Sequence, residues 1–148
     1  MNKALKVILI IGVCIVLLVV AGGGAGIYWW KRHGPELMNA GNKAMDEGLK
    51  FGQQTDNEGC ITETVARAKR EQGFGAAIGH NLFLRACLDA SRPSPNFCAG
   101  VPGRTEFMKS AEWQQQKCKD VGMAADTYCS QLFTQAQQFC EEKQSKQK

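Results

Sequence analysis

Cysteine is the residue type whose number and spacing favour a definite chemistry in this chain. One of the seven cysteines, Cys14, lies in an apolar N-terminal run, and six follow it: Cys60, Cys87, Cys98, Cys118, Cys129 and Cys140. An even number of cysteines within about ninety residues, behind an export signal, is typical of disulfides formed in an oxidising compartment. Zinc sites prefer close pairs such as C-x-x-C, whereas here the nearest cysteines are 11 residues apart. We therefore predict three disulfides, no bound metal and no cofactor.

The spacing of the cysteines limits how they can pair. Cys129 and Cys140 lie on one predicted helix, about 16 Å apart at 1.5 Å per residue, which is too far for a disulfide. In an antiparallel helical hairpin, residues equidistant from the turn lie opposite each other. Turns at Gly73 and just after Gly122 then favour Cys60–Cys87 and Cys118–Cys129. Cys98 precedes the third helix and Cys140 closes the fourth, which brings these two to the same end and completes the set. If the last two helices continue through Gly122, the alternative set is Cys98–Cys118, Cys87–Cys129 and Cys60–Cys140, or a permutation of it.

No other set of side chains predicts catalysis. A catalytic thiol needs an unpaired cysteine with a histidine partner, and the two histidines, His33 and His80, have no such neighbour in the pattern. His80 is interpreted as a partly exposed residue on a helix. The glutamine-rich stretches 114–116 and 135–138 are interpreted as solvated faces. We predict that the protein is not an enzyme.

The elements that position the cysteines are predicted to be helices. Apolar residues recur at helical spacing near 36–51, 58–72, 76–91, 105–118 and 124–142, and no stretch alternates with the period of a strand. Thr55 with Glu58 predicts a capping box, and Thr105 a second N-cap. The fold class is therefore all-α, with two consecutive helical hairpins stapled by the disulfides.

The N-terminal run predicts a transmembrane helix. Residues 7–30 contain no charged side chain, and about 20 apolar residues suffice to cross a bilayer. The far end has the residues of a membrane interface, namely Tyr28, Trp29, Trp30, Lys31 and Arg32. The small residues Gly23 and Ala25 leave a cleaved signal peptide as the alternative. The length of the run favours an uncleaved anchor.

Two small residues within this run allow close helix packing. Gly22 and Gly26 form a G-x-x-x-G motif, which permits two membrane helices to approach closely. Small residues are also common in membrane helices that do not pair. Self-association through the anchor is therefore one possible contact of the protein.

The predicted organisation has four parts. A membrane anchor with basic flanks covers residues 1–32, a weakly helical juxtamembrane stalk covers 33–57, the disulfide-rich domain covers 58–142, and a charged flexible tail covers 143–148. From His33 onward 14 basic residues balance 14 acidic ones. Because nucleic-acid binding requires a clustered cationic surface, we expect no nucleic-acid partner.

Two function classes follow from these features. The first is a single-pass membrane protein with a cytoplasmic N-terminus and an extracytoplasmic binding or scaffolding domain, an accessory of an envelope complex. Its partners would be the lipid bilayer and another envelope protein. The alternative is a small membrane-associated lytic or regulatory factor with a releasable signal anchor. The absence of an Asn-x-Ser/Thr sequon favours a bacterial periplasm.

Overall fold

Five α-helices are present in the computed structural model, which describes residues 3–103 and 105–146. They are α1 (Lys3–Gly52), α2 (Asn57–Arg70), α3 (Phe74–Ala90), α4 (Phe107–Asp120) and α5 (Cys129–Ser145). Within α1 the description omits the side chains of residues 3–10, 16, 18–21, 25, 29, 30 and 33. The described residues contain no strand, so the predicted all-α class is confirmed.

The chain divides into two compact units, one up to Asn39 and the other from Ala40 onward. No helix within the described part of the chain is both long enough and apolar enough to cross a membrane. The predicted transmembrane helix therefore has no support from the described residues and stays a prediction. The side chains of Trp29 and Trp30, both assigned to the membrane interface, lie outside the description.

The second unit has a core built around α3. This helix packs against α2 and α5, and α5 packs in turn against α4. Phe83, Leu84 and Leu88 of α3 are at most 1 % exposed, and they form one cluster with Leu132 and Phe139 of α5. Each such side chain contributes about 1.5–3 kcal/mol through removal of its apolar surface from water.

The six cysteines of this unit form three disulfides, as predicted. They join Cys60 to Cys87, Cys98 to Cys140 and Cys118 to Cys129, with Cα–Cα distances of 5.8, 5.3 and 6.0 Å. These are the pairs of the first set that the hairpin geometry favours. Helix α4 ends before Gly122, which has a φ of +71° that suits glycine. The interruption at Gly122 separates α4 from α5, so the continuous helix on which the second set depends is not formed.

The last part of α1 belongs to the disulfide-rich unit. Ideal Cβ atoms at Gly48 and Gly52 would collide with the backbone carbonyl oxygens of Phe83 and Cys87 on α3. The two glycines thus allow the backbones of α1 and α3 to come into direct contact. The domain was predicted to begin at residue 58, after a stalk at 33–57; the compact unit begins at Ala40.

Four helix ends differ from the sequence-based expectation. Helix α4 begins at Phe107 with Glu106 at its N-cap position, so the predicted Thr105 cap is wrong. The N-cap of α2 is Asp56, whose Oδ1 accepts a hydrogen bond from the Gly59 amide at 2.9 Å, so the Thr55 capping box is wrong. Helix α5 begins at Cys129 and not near 124, because Asp126 Oδ1 accepts from the Tyr128 amide at 2.8 Å in a turn that competes with helix. Helix α5 also continues to Ser145, into the stretch predicted as a flexible tail.

Candidate binding cavity

An apolar cavity of about 140 Å³ opens between α2, α4, α5 and the loop that precedes α4. The helices line it with residues at helical spacing, so that each helix presents one face. Glu58 and Ile61 come from α2, Trp113, Lys117 and Asp120 from α4, and Phe133, Ala136 and Cys140 from α5. Phe97 and Val101 of the loop and Val121 after α4 complete the wall.

The wall of the cavity is aromatic and only partly covered by protein. The rings of Trp113 and Phe133 meet edge to face, with centroids 5.9 Å apart and an interplanar angle of 88°. Such pairs contribute about 0.5–1.5 kcal/mol beyond the area that they bury. Ile61, Phe97, Val101, Trp113 and Val121 are all half-buried against the core. The cavity therefore exposes apolar surface that a ligand could cover.

All three disulfides adjoin this wall. Each bridge includes a cysteine that is next to a wall residue in the chain. These neighbours are Cys60 and Ile61, Cys98 and Phe97, and Cys118 and Lys117. Cys140 itself lines the cavity. Cross-links at these positions restrict the motion of the wall. A preorganised wall lowers the conformational cost of binding.

The opening of the cavity has charged residues. Glu58, Lys117 and Asp120 line it and are exposed to solvent, which places them at its mouth. Asp120 Oδ1 accepts a hydrogen bond from Gln116 Nε2 at 2.8 Å. Two carboxylates against one ammonium give the mouth a net negative charge.

A second, polar cleft of about 380 Å³ lies between the end of α1, α2 and α3. Its main feature is Arg67, which donates to Glu47 at 2.7 Å and to Glu63 at 2.9 Å and lies 3.9 Å from the centroid of the Phe83 ring. Partial burial alone would lower the pKa of this guanidinium, but the hydrogen bonds to Glu47 and Glu63 raise it overall. The guanidinium is paired with one carboxylate from α1 and one from α2, so it joins these helices and its charge is already balanced.

His80 lines the same cleft and corrects the expectation of a surface residue. It is only 7 % exposed, and its Nε2 lies 3.1 Å from the carbonyl oxygen of Glu71. Because a carbonyl only accepts, Nε2 carries the proton and donates to the C-terminal end of α2. Among the described residues, no group of three or more His, Cys, Asp or Glu side chains could hold a metal ion.

The residues assigned to the membrane interface and to helix pairing lie on α1, in the first unit. Tyr28, Lys31 and Arg32 are exposed, and Arg32 Nη1 donates to the Tyr28 hydroxyl at 3.3 Å. Gly22 and Gly26 are exposed as well, and a Cβ at either position would meet nothing within 4 Å. Cys14 is an exposed free thiol.

The sequence pattern did not indicate the cavity. Trp113 reads as one more residue on the stripe of α4, and Phe97 and Val101 lie in a loop without periodicity. The one available signal was the presence of two large apolar residues in a loop otherwise rich in proline and glycine. Comparisons of the chain with protein-family models, with curated proteins and with solved structures find no match in any of the three.

Proposed function

We propose that this chain is a membrane-anchored extracytoplasmic binding module, which holds another envelope protein at the apolar cavity. The observation that carries the proposal is the cavity itself. Apolar pockets with a few polar groups at the edge are the usual places at which a protein binds a ligand. Its aromatic lining matches the residue types that dominate protein interfaces.

The proposed anchor rests on the N-terminal run, which has no charged side chain from residue 7 to residue 30. Ile11, Val13, Ile15, Leu17 and Ile27 are each more than half exposed in the isolated chain. Exposed apolar side chains favour an apolar environment, which a bilayer would provide. The three disulfides agree with an oxidising compartment such as a periplasm.

The test is capture of a partner from native membranes with a variant that fills the cavity. Ala136→Leu adds three carbons to a residue of the cavity wall, whereas Ala111→Leu makes the same change on an exposed face of α4. We expect the full chain to remain in alkali-washed membranes. After detergent extraction, wild type and Ala111→Leu should retain the same partner. Ala136→Leu should lose at least nine-tenths of it, which corresponds to a loss of about 1.4 kcal/mol of binding free energy.

Two results would contradict the proposal. Release of the protein by alkali would exclude the anchor. Equal capture by both variants would exclude the cavity as the binding site. Circular dichroism of the two purified variants checks that each retains its helices.

A further inference from the structure

We propose that the cavity receives one aromatic side chain of a partner protein, flanked on both sides by basic residues. This inference rests on the proposed function, since it specifies the chemistry of the partner at the same site. The observation behind it is the combination of one-ring volume, aromatic wall and net negative mouth.

The volume of the cavity limits the size of the group that enters. Cavities of about 150 Å³ lined by aliphatic and aromatic side chains can bind benzene. The cavity between α2, α4 and α5 has a volume of about 140 Å³. It therefore has room for one aromatic ring.

The wall favours an aromatic group over an aliphatic one. Three rings line the cavity, those of Phe97, Trp113 and Phe133. Aromatic rings prefer offset or edge-to-face contacts with other rings. The edge-to-face pair of Trp113 and Phe133 leaves ring surface toward the cavity, so an entering ring can extend the same arrangement.

The charges favour a polypeptide with basic residues over a small amine. Glu58 lies on α2 and Asp120 on α4, so the two carboxylates come from different walls. A chain that crosses from one wall to the other can place a cationic side chain near each carboxylate, which a single amine cannot do. Lys117 opposes this attraction, and neither it nor Glu58 forms an ion pair with a described residue.

The experiment measures binding of four defined probes to the full chain in phosphatidylcholine nanodiscs. Trp29→Phe and Trp30→Phe make Trp113 the one remaining tryptophan, so its emission reports on the cavity. The probes are acetyl-Lys-Phe-Lys-amide, acetyl-Glu-Phe-Glu-amide, acetyl-Lys-Ala-Lys-amide and benzylamine. Empty nanodiscs serve as the blank.

We expect the Lys-Phe-Lys peptide to bind three- to tenfold more tightly than the Glu-Phe-Glu peptide at low salt, with a smaller ratio at high salt. The Lys-Ala-Lys peptide should leave the emission unchanged. Glu58→Lys should weaken the binding of the Lys-Phe-Lys peptide at least threefold. Glu112→Lys, the same change away from the cavity, should leave the affinity unchanged. Lys117→Gln should increase the affinity for the Lys-Phe-Lys peptide, because it removes a cation from the mouth.

Other outcomes overturn the inference. Equal affinity of the two charged phenylalanine peptides would show that basic flanking residues are not recognised. A response of the emission to the alanine peptide would show that no aromatic ring is needed. Benzylamine binding as tightly as the Lys-Phe-Lys peptide makes the occupant a small amine. If these probes fail while Ala136→Leu still abolishes partner capture, the partner chemistry is wrong and the binding module stands.

Discussion

Gln137 joins three segments of the domain through one buried amide. The side chain is 2 % exposed. Its Nε2 donates to the carbonyl of Pro102 at 2.7 Å and to Ser110 Oγ at 2.8 Å, and its Oε1 accepts from Gln114 Nε2 at 3.1 Å. The interpretation of 135–138 as a solvated face is therefore wrong at this residue. A buried polar group stays favourable only while its hydrogen bonds are made.

Replacing Gln137 should test the energetic weight of this network. Gln137→Ala removes the donor to the Pro102 carbonyl and one of the two hydrogen bonds of the Ser110 hydroxyl, which keeps its bond to the Gly103 carbonyl. The loss should cost about 1–3 kcal/mol of unfolding free energy. Gln115→Ala, at an exposed position of α4, should cost less than about 0.5 kcal/mol. Urea unfolding in mild detergent measures both costs, with each variant made in the full chain carrying Trp29→Phe and Trp30→Phe so that the emission is that of Trp113. Equal costs would show that the network contributes nothing specific.

At the scale of elements, the contact between α1 and α3 depends on glycines. Gly48 faces the carbonyl of Phe83 and the Cβ of Ala86, and a methyl group at its position would have to displace backbone. Gly79 lies inside α3 with nothing within 4 Å of an added Cβ. Both residues are helical, so alanine has the same intrinsic advantage at each.

The two glycines should respond to alanine with opposite signs. Gly79→Ala should stabilise the protein by about 0.5–1 kcal/mol, because alanine loses less conformational freedom in a helix. Gly48→Ala should destabilise it by about 1–3 kcal/mol, because overpacking against a backbone carbonyl outweighs that gain. Thermal unfolding of the two variants, monitored by circular dichroism, gives the sign. A stabilising Gly48→Ala would contradict the close contact of α1 with α3.

A second tie between elements is ionic. Arg85 of α3 donates to both carboxylate oxygens of Glu142 on α5, at 3.0 and 2.6 Å, and to Asp89 at 3.0 Å. The hydrogen bond to Glu142 raises the pKa of the guanidinium above its ordinary value. These groups are partly exposed, so solvent screening limits what the pair adds to stability.

At the scale of the whole molecule, the disulfides connect helices across the domain. The sequence separations of the three bridges are 27, 42 and 11 residues. In the loop-entropy model a bridge of 27 residues stabilises by about 3.5 kcal/mol, and one of 11 residues by about 3 kcal/mol. The three bridges together thus represent a large share of the stability of about 5–15 kcal/mol that is typical of a domain.

Paired removal of cysteines should reveal both the ranking and the pairing. Cys60→Ala with Cys87→Ala should cost more unfolding free energy than Cys118→Ala with Cys129→Ala. Each double variant should expose one reactive thiol per chain under denaturing, non-reducing alkylation, that of Cys14. A count of three thiols in the first variant would mean that Cys60 and Cys87 are bonded to other partners.

The sequence by itself determined the helical class, the approximate span of four helices and the number of disulfides, and it favoured the pairing that the structure shows. These depend on local properties, namely apolar periodicity, turn residues at Gly73 and Gly122, and cysteines placed on either side of those turns. The distance limit between Cys129 and Cys140 follows from helix geometry alone. Such features can be predicted without knowing which helix faces pack against each other.

Only the tertiary structure decided the use of the remaining residues. His80 and Gln137 are buried because residues outside their own helices supply their hydrogen-bond partners. Asp56 replaces Thr55 as the cap because the turn before α2 places its side chain on the Gly59 amide. The cavity arises where one face each of α2, α4 and α5 meets Phe97 and Val101 from a loop without any period. A surface assembled from four separate segments has no local signature, since each segment is ordinary until the others are packed beside it.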